Sequence, residues 1–491
     1  MRDDQISARL REANPWWRAA VTGVSPTQWT QANRLLLDRA RYDLGYRATV
    51  LNDVAQGPVD DKLVVLSGPR RVGKSVVLLD TAHALCERAD VDPRQIIHIP
   101  ADDFSKQDLH RSFVLGEQAT RSLDLNGRIP RVWLLDEVSS ITDWTVTLKF
   151  LRDQTPVGDD TVVATGSRWV GSDDVSANLL AGRAGRGNHR RLRHLMPMSF
   201  RDFIGATRTD LPRIPVAPLW ELQSKSVAET LEPLSILVDD YDLAWQSYLQ
   251  CGGFPRAVYE FHTTGGVSDA YLRDLERWLV ADVDAGDAPD SVELLLDALT
   301  TRATSPMNVA STARDLGFWS PDQLARRIQR LISTFAAIEC PQRTDKGFKV
   351  GGRTQAKVYL SDPVLSWLPS RLRSGLPEPS LTTLTEMAMG VTQALAIDEQ
   401  QENRMLVSDT IGYLRTTSGQ EVDLAPVAVP SAAGTFLSTP LESKWVGGGW
   451  RAEAKVVTAK FGAGVLATRN ILDTSSAVWA IPAPLVAMML R

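Results

Sequence analysis

Four short runs, at residues 63–66, 96–99, 132–135 and 161–164, are apolar at nearly every position. A strand carries apolar side chains on both faces only where both faces are covered, and helices cover both faces of a parallel sheet. Helical stretches separate the runs. Residues 62–205 are therefore expected to form an α/β core around a parallel sheet. The full chain of 491 residues exceeds one ordinary core, so two to four domains are expected.

Around that core the texture changes. Residues 1–61 read as a helical, tryptophan-rich extension with Trp16, Trp17 and Trp29, and residues 206–290 as a helical lid or connector. In residues 291–369, helical segments at 309–316 and 321–333 flank Gly317, and two strand-like runs follow at 336–340 and 357–360. Helix, turn, helix and hairpin is the outline of a winged helix. Pro369, Pro377 and Pro379 mark a linker before a last α+β domain at 381–491.

Composition narrows the class. Hydrophobic residues at 43% and charged residues at 23% describe a globular chain, and a net charge of −5 excludes a globally basic nucleic-acid coat. Cys86, Cys251 and Cys340 lie far apart, which argues against a disulfide framework or a zinc site and for a reducing compartment. Residues 1–11 contain no apolar leader core. Residues 477–490 are too short to span a bilayer and contain Pro482 and Pro484, so a buried strand and short helix are expected there. The expectation is a cytoplasmic protein without a membrane partner.

The first apolar run leads into Gly68-Pro69-Arg70-Arg71-Val72-Gly73-Lys74-Ser75, and a helical run at 76–85 leads out. Strand, glycine-bounded loop, Lys-Ser and helix is the P-loop arrangement. Its backbone N–H groups face phosphates, Lys74 reaches the β- and γ-phosphates of ATP, and Ser75 places a hydroxyl on Mg²⁺. The third run ends in Asp136-Glu137, with Asp136 the expected Mg²⁺ partner and Glu137 the residue that polarises the attacking water. The fourth run ends in Thr165-Gly166-Ser167, where either hydroxyl is a candidate γ-phosphate sensor or a strand-end cap. Beyond it, Arg183 and Arg186 on a glycine-rich turn are candidates for an arginine finger, in the same or a neighbouring subunit, or for salt bridges.

In this order, with Leu180-Ala181-Gly182-Arg183, Pro197-Met198-Ser199-Phe200 and Gly252-Gly253-Phe254-Pro255 downstream, the motifs resemble a large group of prokaryotic AAA+-like ATPases. The resemblance covers nearly all the chain after Asp61. It implies an ATPase core followed by a winged helix and a C-terminal PD-(D/E)XK nuclease-like domain of restriction-endonuclease type. It also favours Arg183 as the finger and a structural role for the Gly-Gly-Phe-Pro turn.

In the last domain, Glu442 and Lys444 are two apart on an expected strand and so share a face, and Asp423 can meet them from an adjoining strand. Two carboxylates and a lysine on one surface can hold a Mg²⁺ or Mn²⁺ ion and orient a water against a phosphodiester. The set resembles the nuclease pattern Asp…Glu-x-Lys, in which Glu386 matches an upstream acidic metal position. Leu424 and Ser443 depart from that pattern, which commonly has an aromatic and an aliphatic residue there. Solvated faces and cross-strand ion pairs are the competing reading. Arg326, Arg327 and Arg330 on the 321–333 helix could meet DNA, or form a wet helix face. The composite expectation is a Mg²⁺-dependent ATPase, able to act as a homo-oligomer, coupled to a DNA-binding or DNA-cutting C-terminal half. The alternative is a nucleotide-driven switch or scaffold whose nuclease-like fold only docks DNA or a protein.

Overall fold

A computed structural model describes residues 1–168, 179, 191–284, 290–317, 319–350, 355–400, 410–416, 419–431 and 433–491. The chain divides into two compact units, one of residues 1–43 and 47–196 and the other of residues 44–46 and 197–491.

The first unit contains the expected parallel sheet. Its strands are β1 (Leu63–Ser67), β2 (Ile96–Pro100), β3 (Val132–Asp136), β4 (Thr161–Gly166) and β5 (Leu192–His194), in the order β2-β3-β4-β1-β5. Every pairing is parallel. All residues of β1, β3 and β4 are buried, the physical reason their runs show no alternation. One face of the sheet, including Val65, Ile97, Trp133 and Val162, packs with Phe113, Trp144 and Leu148 of the helices Lys106–Thr120 and Trp144–Gln154. Helix Lys74–Cys86 packs on β2, β3 and β4.

The amino-terminal helix Asp3–Ala13 belongs to this core, through Ile6 and Leu10. Just after it, the Asn14 side chain acts as a missing strand. Its amide donates to the His98 carbonyl at 2.8 Å and its oxygen accepts the His98 N–H at 2.6 Å. Trp16 and Trp17 both donate their indole N–H to the Ile96 carbonyl, at 3.0 and 2.8 Å. Strand β2 lies at the edge of the sheet, where unpaired backbone groups template further pairing. These three side chains satisfy part of that edge.

In the second unit, helices Val309–Leu316 and Pro321–Ser333 flank Gly317, and β6 (Ala337–Arg343) and β7 (Ala356–Leu360) form an antiparallel hairpin. The hairpin does not stop at the proline-rich segment. β6 pairs in parallel with β8 (Tyr413–Arg415), and β8 pairs with β9 (Glu421–Val422), so one sheet of order β7-β6-β8-β9 joins sequence on both sides of it. A β-hairpin of β10 (Ala428–Ser431) and β11 (Gly434–Leu437) follows. A parallel sheet of β12 (Leu441–Ser443), β13 (Gly464–Thr468) and β14 (Val478–Pro482) completes the unit. Helix Ala483–Leu490 is buried along its length, matching the strand and short helix expected of the apolar tail. Among the described residues no helix is long and apolar enough to cross a membrane.

Asn14 is 1% exposed, so Asn14→Ala leaves the His98 N–H and carbonyl without these partners in a dry place. The expected result is a loss of about 1–3 kcal/mol of stability, seen as an earlier urea midpoint by tryptophan fluorescence.

Candidate nucleotide site and a lysine-centred acidic cluster

Residues Gly68 to Gly73 carry the chain from the end of β1 to the start of helix Lys74–Cys86. A side chain at Gly68 would put its Cβ 2.0 Å from the Leu195 carbonyl oxygen, and Gly73 sits at φ +97°, so both ends of the loop need glycine. Pro69 and Val72 are buried, Arg70 and Arg71 are exposed, and Ser75 is half-buried in the first helical turn. Lys74 is buried, and its ammonium donates to the Gly68 and Pro69 carbonyls at 2.8 Å each.

Strand β4 lies between β1 and β3, so the fourth run is the middle strand between the loop and the acidic pair. The Thr165 hydroxyl donates to Asp136 Oδ1 at 2.8 Å and accepts the Glu137 N–H at 3.0 Å. Glu137 Oε1 receives the Ser167 hydroxyl at 2.7 Å, the Ser167 N–H at 3.0 Å and the Ser139 hydroxyl at 2.8 Å. Burial pushes the Glu137 carboxyl up, but the Lys74 charge and the serine donors outweigh it and its pKa falls below the ordinary value. Thr165 and Ser167 thus both orient the acidic pair, while Ser139 is a contributor that the motif spacing did not mark.

Arg183 and Arg186 lie outside the described residues. Further along the chain, Arg193 on β5 is paired with Asp53 at 2.6 Å. On helix Pro321–Ser333, Arg327 is buried with its guanidinium 4.5 Å from the Trp319 ring centre. Arg330 donates to the Val283 carbonyl at 2.7 Å, and Arg326 is exposed. The Gly-Gly-Phe-Pro turn is held by structural contacts. The Gly253 N–H donates to Asp362 at 2.7 Å, its carbonyl accepts the Met198 N–H at 2.7 Å, and burial pushes the Asp362 carboxyl up to about 7.

Asp423, Glu442 and Lys444 converge in the second unit. Lys444 Nζ lies 2.7 Å from Glu442 and 3.9 Å from Asp423. The centre of the cluster, however, is Lys357 on β7. Its fully buried ammonium lies 2.7 Å from Glu386 on helix Leu381–Gln400, 2.6 Å from Glu421 on β9 and 3.0 Å from Asp423. Tyr359, two residues on and so on the same face, donates its hydroxyl to Glu386 at 2.9 Å. Among the described residues no group of three or more His, Cys, Asp or Glu is placed to hold a metal ion. An ammonium thus sits between Glu386 and Asp423, two of the three carboxylates at which a second Mg²⁺ or Mn²⁺ is expected. Sequence reading missed Lys357 because one lysine in a short strand looks like ordinary alternation. Its one available signal was an apolar setting, Lys357-Val358-Tyr359-Leu360.

Residues 60–204 match a protein-family model described as an AAA domain. No curated protein matches the chain. Among solved structures, the chain is similar to the Walker-type ATPase PABY2304 of Pyrococcus abyssi, at 14% identity and a TM-score of 0.36, covering 62% of this chain and 90% of that one. It is also similar to the Aeropyrum pernix ORC1 protein in complex with DNA, at 12% identity and a TM-score of 0.30, covering 71% and 91%. The A. pernix ORC2 protein in its ADP form stands at 12% and 0.29, covering 61% and 90%. The family match describes an AAA domain within residues 60–204 and does not extend to the rest of the chain.

Burial, then the charge of Asp423, pushes the Glu386 carboxyl up to about 7 and the Glu442 carboxyl up to about 8. A group that holds its proton more tightly folded than unfolded stabilises the fold below its folded pKa and loses that contribution as pH rises through it. The denaturation midpoint of the second unit should therefore fall as pH rises from about 5 to about 8, and Glu442→Gln should flatten that slope.

Proposed function

We propose that residues 62–205 bind ATP and hydrolyse it. The observation that carries this reading is the juxtaposition of two groups: a buried loop lysine whose charge is felt by Glu137, and an acidic pair aimed by hydroxyls from the strand between. Phosphoryl transfer asks a protein mainly for positioning and charge stabilisation. Lys74 exchanges its two loop carbonyls for β- and γ-phosphate oxygens, and the loop N–H groups cradle the rest of the chain of phosphates. A helix-start hydroxyl and a strand-end carboxylate suit a hard divalent ion, so Ser75 and Asp136 would hold Mg²⁺. When bound, that ion neutralises phosphate charge. Glu137, kept ionised by Lys74 and its serine donors, accepts a hydrogen bond from the attacking water. Thr165 holds Asp136 and the Glu137 backbone in register. Arg183 is the proposed finger, and a finger supplied by a neighbour makes a homo-oligomer the working form.

The AAA+-like core would drive a C-terminal half that handles nucleic acid. Of the two versions of that half, the lysine-centred cluster favours a dock for DNA over a metal-dependent nuclease. The Arg326 side chain, exposed on its helix, is the remaining candidate for phosphate contact there.

Lys74→Ala should abolish ATP binding in a fluorescent-nucleotide titration. Glu137→Gln should keep binding and lower turnover by about 10²–10⁴-fold. Unchanged ATP affinity in Lys74→Ala would sink the proposal. With Mg²⁺ or Mn²⁺, the wild-type chain should leave single-stranded, duplex and branched DNA uncut. Cleavage lost in Asp423→Ala would restore the nuclease reading.

A further inference from the structure

We propose that Lys357 is the resident cation of the C-terminal acidic cluster, its ammonium standing where the Asp423 and Glu442-x-Lys444 pattern would otherwise gather a divalent ion.

Donor arithmetic makes the first argument. An ammonium has three N–H donors and no acceptor; Lys357 donates to Glu386 at 2.7 Å and to Asp423 at 3.0 Å, and Glu421 completes the set as an ion pair at 2.6 Å. The three acids come from a helix, from β9 and from the residue just after it, and all aim at one nitrogen. Burial pulls the ammonium toward its neutral form, but the three carboxylates outweigh it and the group stays charged. Tyr413 adds its ring face 5.4 Å away.

The second argument counts acceptors. Asp423 Oδ1 takes Lys357, and Oδ2 takes the Ser443 N–H at 3.1 Å with Lys444 beyond it. Glu442 Oε1 takes Lys444, and Oε2 takes the Asp423 N–H at 3.0 Å. Glu386 Oε1 takes both Lys357 and the Tyr359 hydroxyl. A magnesium ion needs oxygens at about 2.0–2.1 Å in octahedral array, and here an ion touching Glu386 and Asp423 together would have to share their interior with a fixed positive charge. Asp423 and Glu442 therefore have both oxygens engaged, and Glu386 one, beside two lysines.

The third argument is provenance. Lys357 does not come from the sequence that carries the acids. It comes from the β6–β7 hairpin upstream of the proline-rich segment. The same ion pairs that fill the cluster fasten that hairpin to helix Leu381–Gln400 and β9. A mobile divalent ion is thereby replaced by a cation covalently tied to a neighbouring element, which holds the acidic strands together whatever the metal supply.

The inference rests on the docking reading only for what the domain goes on to do. The experiment is a Mn²⁺ titration of the nucleotide-free full chain, with free Mn²⁺ read by electron paramagnetic resonance. Wild type and Asp423→Asn should give superimposable curves. Lys357→Met should gain one bound ion per chain, and the double variant Lys357→Met/Asp423→Asn should lose it again. Wild-type binding that disappears in Asp423→Asn would overturn the proposal. So would a folded Lys357→Met, verified by circular dichroism, that gains no ion. Should Lys357→Met fail to fold, the wild-type and Asp423→Asn comparison still decides. A chain that binds neither Mn²⁺ at this cluster nor DNA would end the docking reading while leaving the lysine assignment in place.

Discussion

Buried carboxylates are tolerated only when something reaches them, and that constraint shapes both candidate sites of this chain. In the first unit, Asp136 and Glu137 are reached mainly by the hydroxyls of Thr165, Ser167 and Ser139. Hydroxyls orient a carboxylate without cancelling its charge, so the pair keeps its negative potential. In the second unit, Asp423, Glu386, Glu421 and Glu442 are reached by the ammonium groups of Lys357 and Lys444. Ammonium groups both orient and neutralise. The same kind of side chain is therefore left charged in one unit and neutralised in the other, decided by what satisfies it.

Much of the first unit was legible because its signals are local. Continuous apolar runs announce strands covered on both faces, and the glycine-bounded loop with Lys74 and Ser75 sits between one of those strands and a helix. What the linear sequence does not state is which strands are neighbours. That β4 intervenes between β1 and β3 decides that Thr165 serves Asp136, a pairing across 29 residues. Gly68 illustrates the same limit. It reads as a member of a motif, but the reason only glycine fits is the Leu195 carbonyl, more than a hundred residues away.

The second unit was legible as a list of elements and less so as a site. Both helices beside Gly317, the hairpin and the closing strand and helix were readable from periodicity and turn residues. Their joining into the sheet β7-β6-β8-β9 depends on long-range pairing that no local pattern encodes. Lys357 went unmarked for that reason, since its meaning exists only once β7 stands beside Glu386 and Asp423. Arg327 errs in the other direction. Its place on the helix beside Arg326 and Arg330 suggested a contact with DNA, whereas the guanidinium is buried against Trp319.

The side-chain seal on β2 has a consequence for the order of events during synthesis. Asn14 is made before the backbone groups of His98 that it satisfies, which follow 84 residues later in the chain. Until those residues emerge, the helix Asp3–Ala13 has no sheet to lie on, and its apolar stripe with Trp16 and Trp17 stays in water. The segment of Asp3 to Trp17 is thus made before the strand it docks on, and the nascent chain must carry its exposed aromatic side chains until β2 follows.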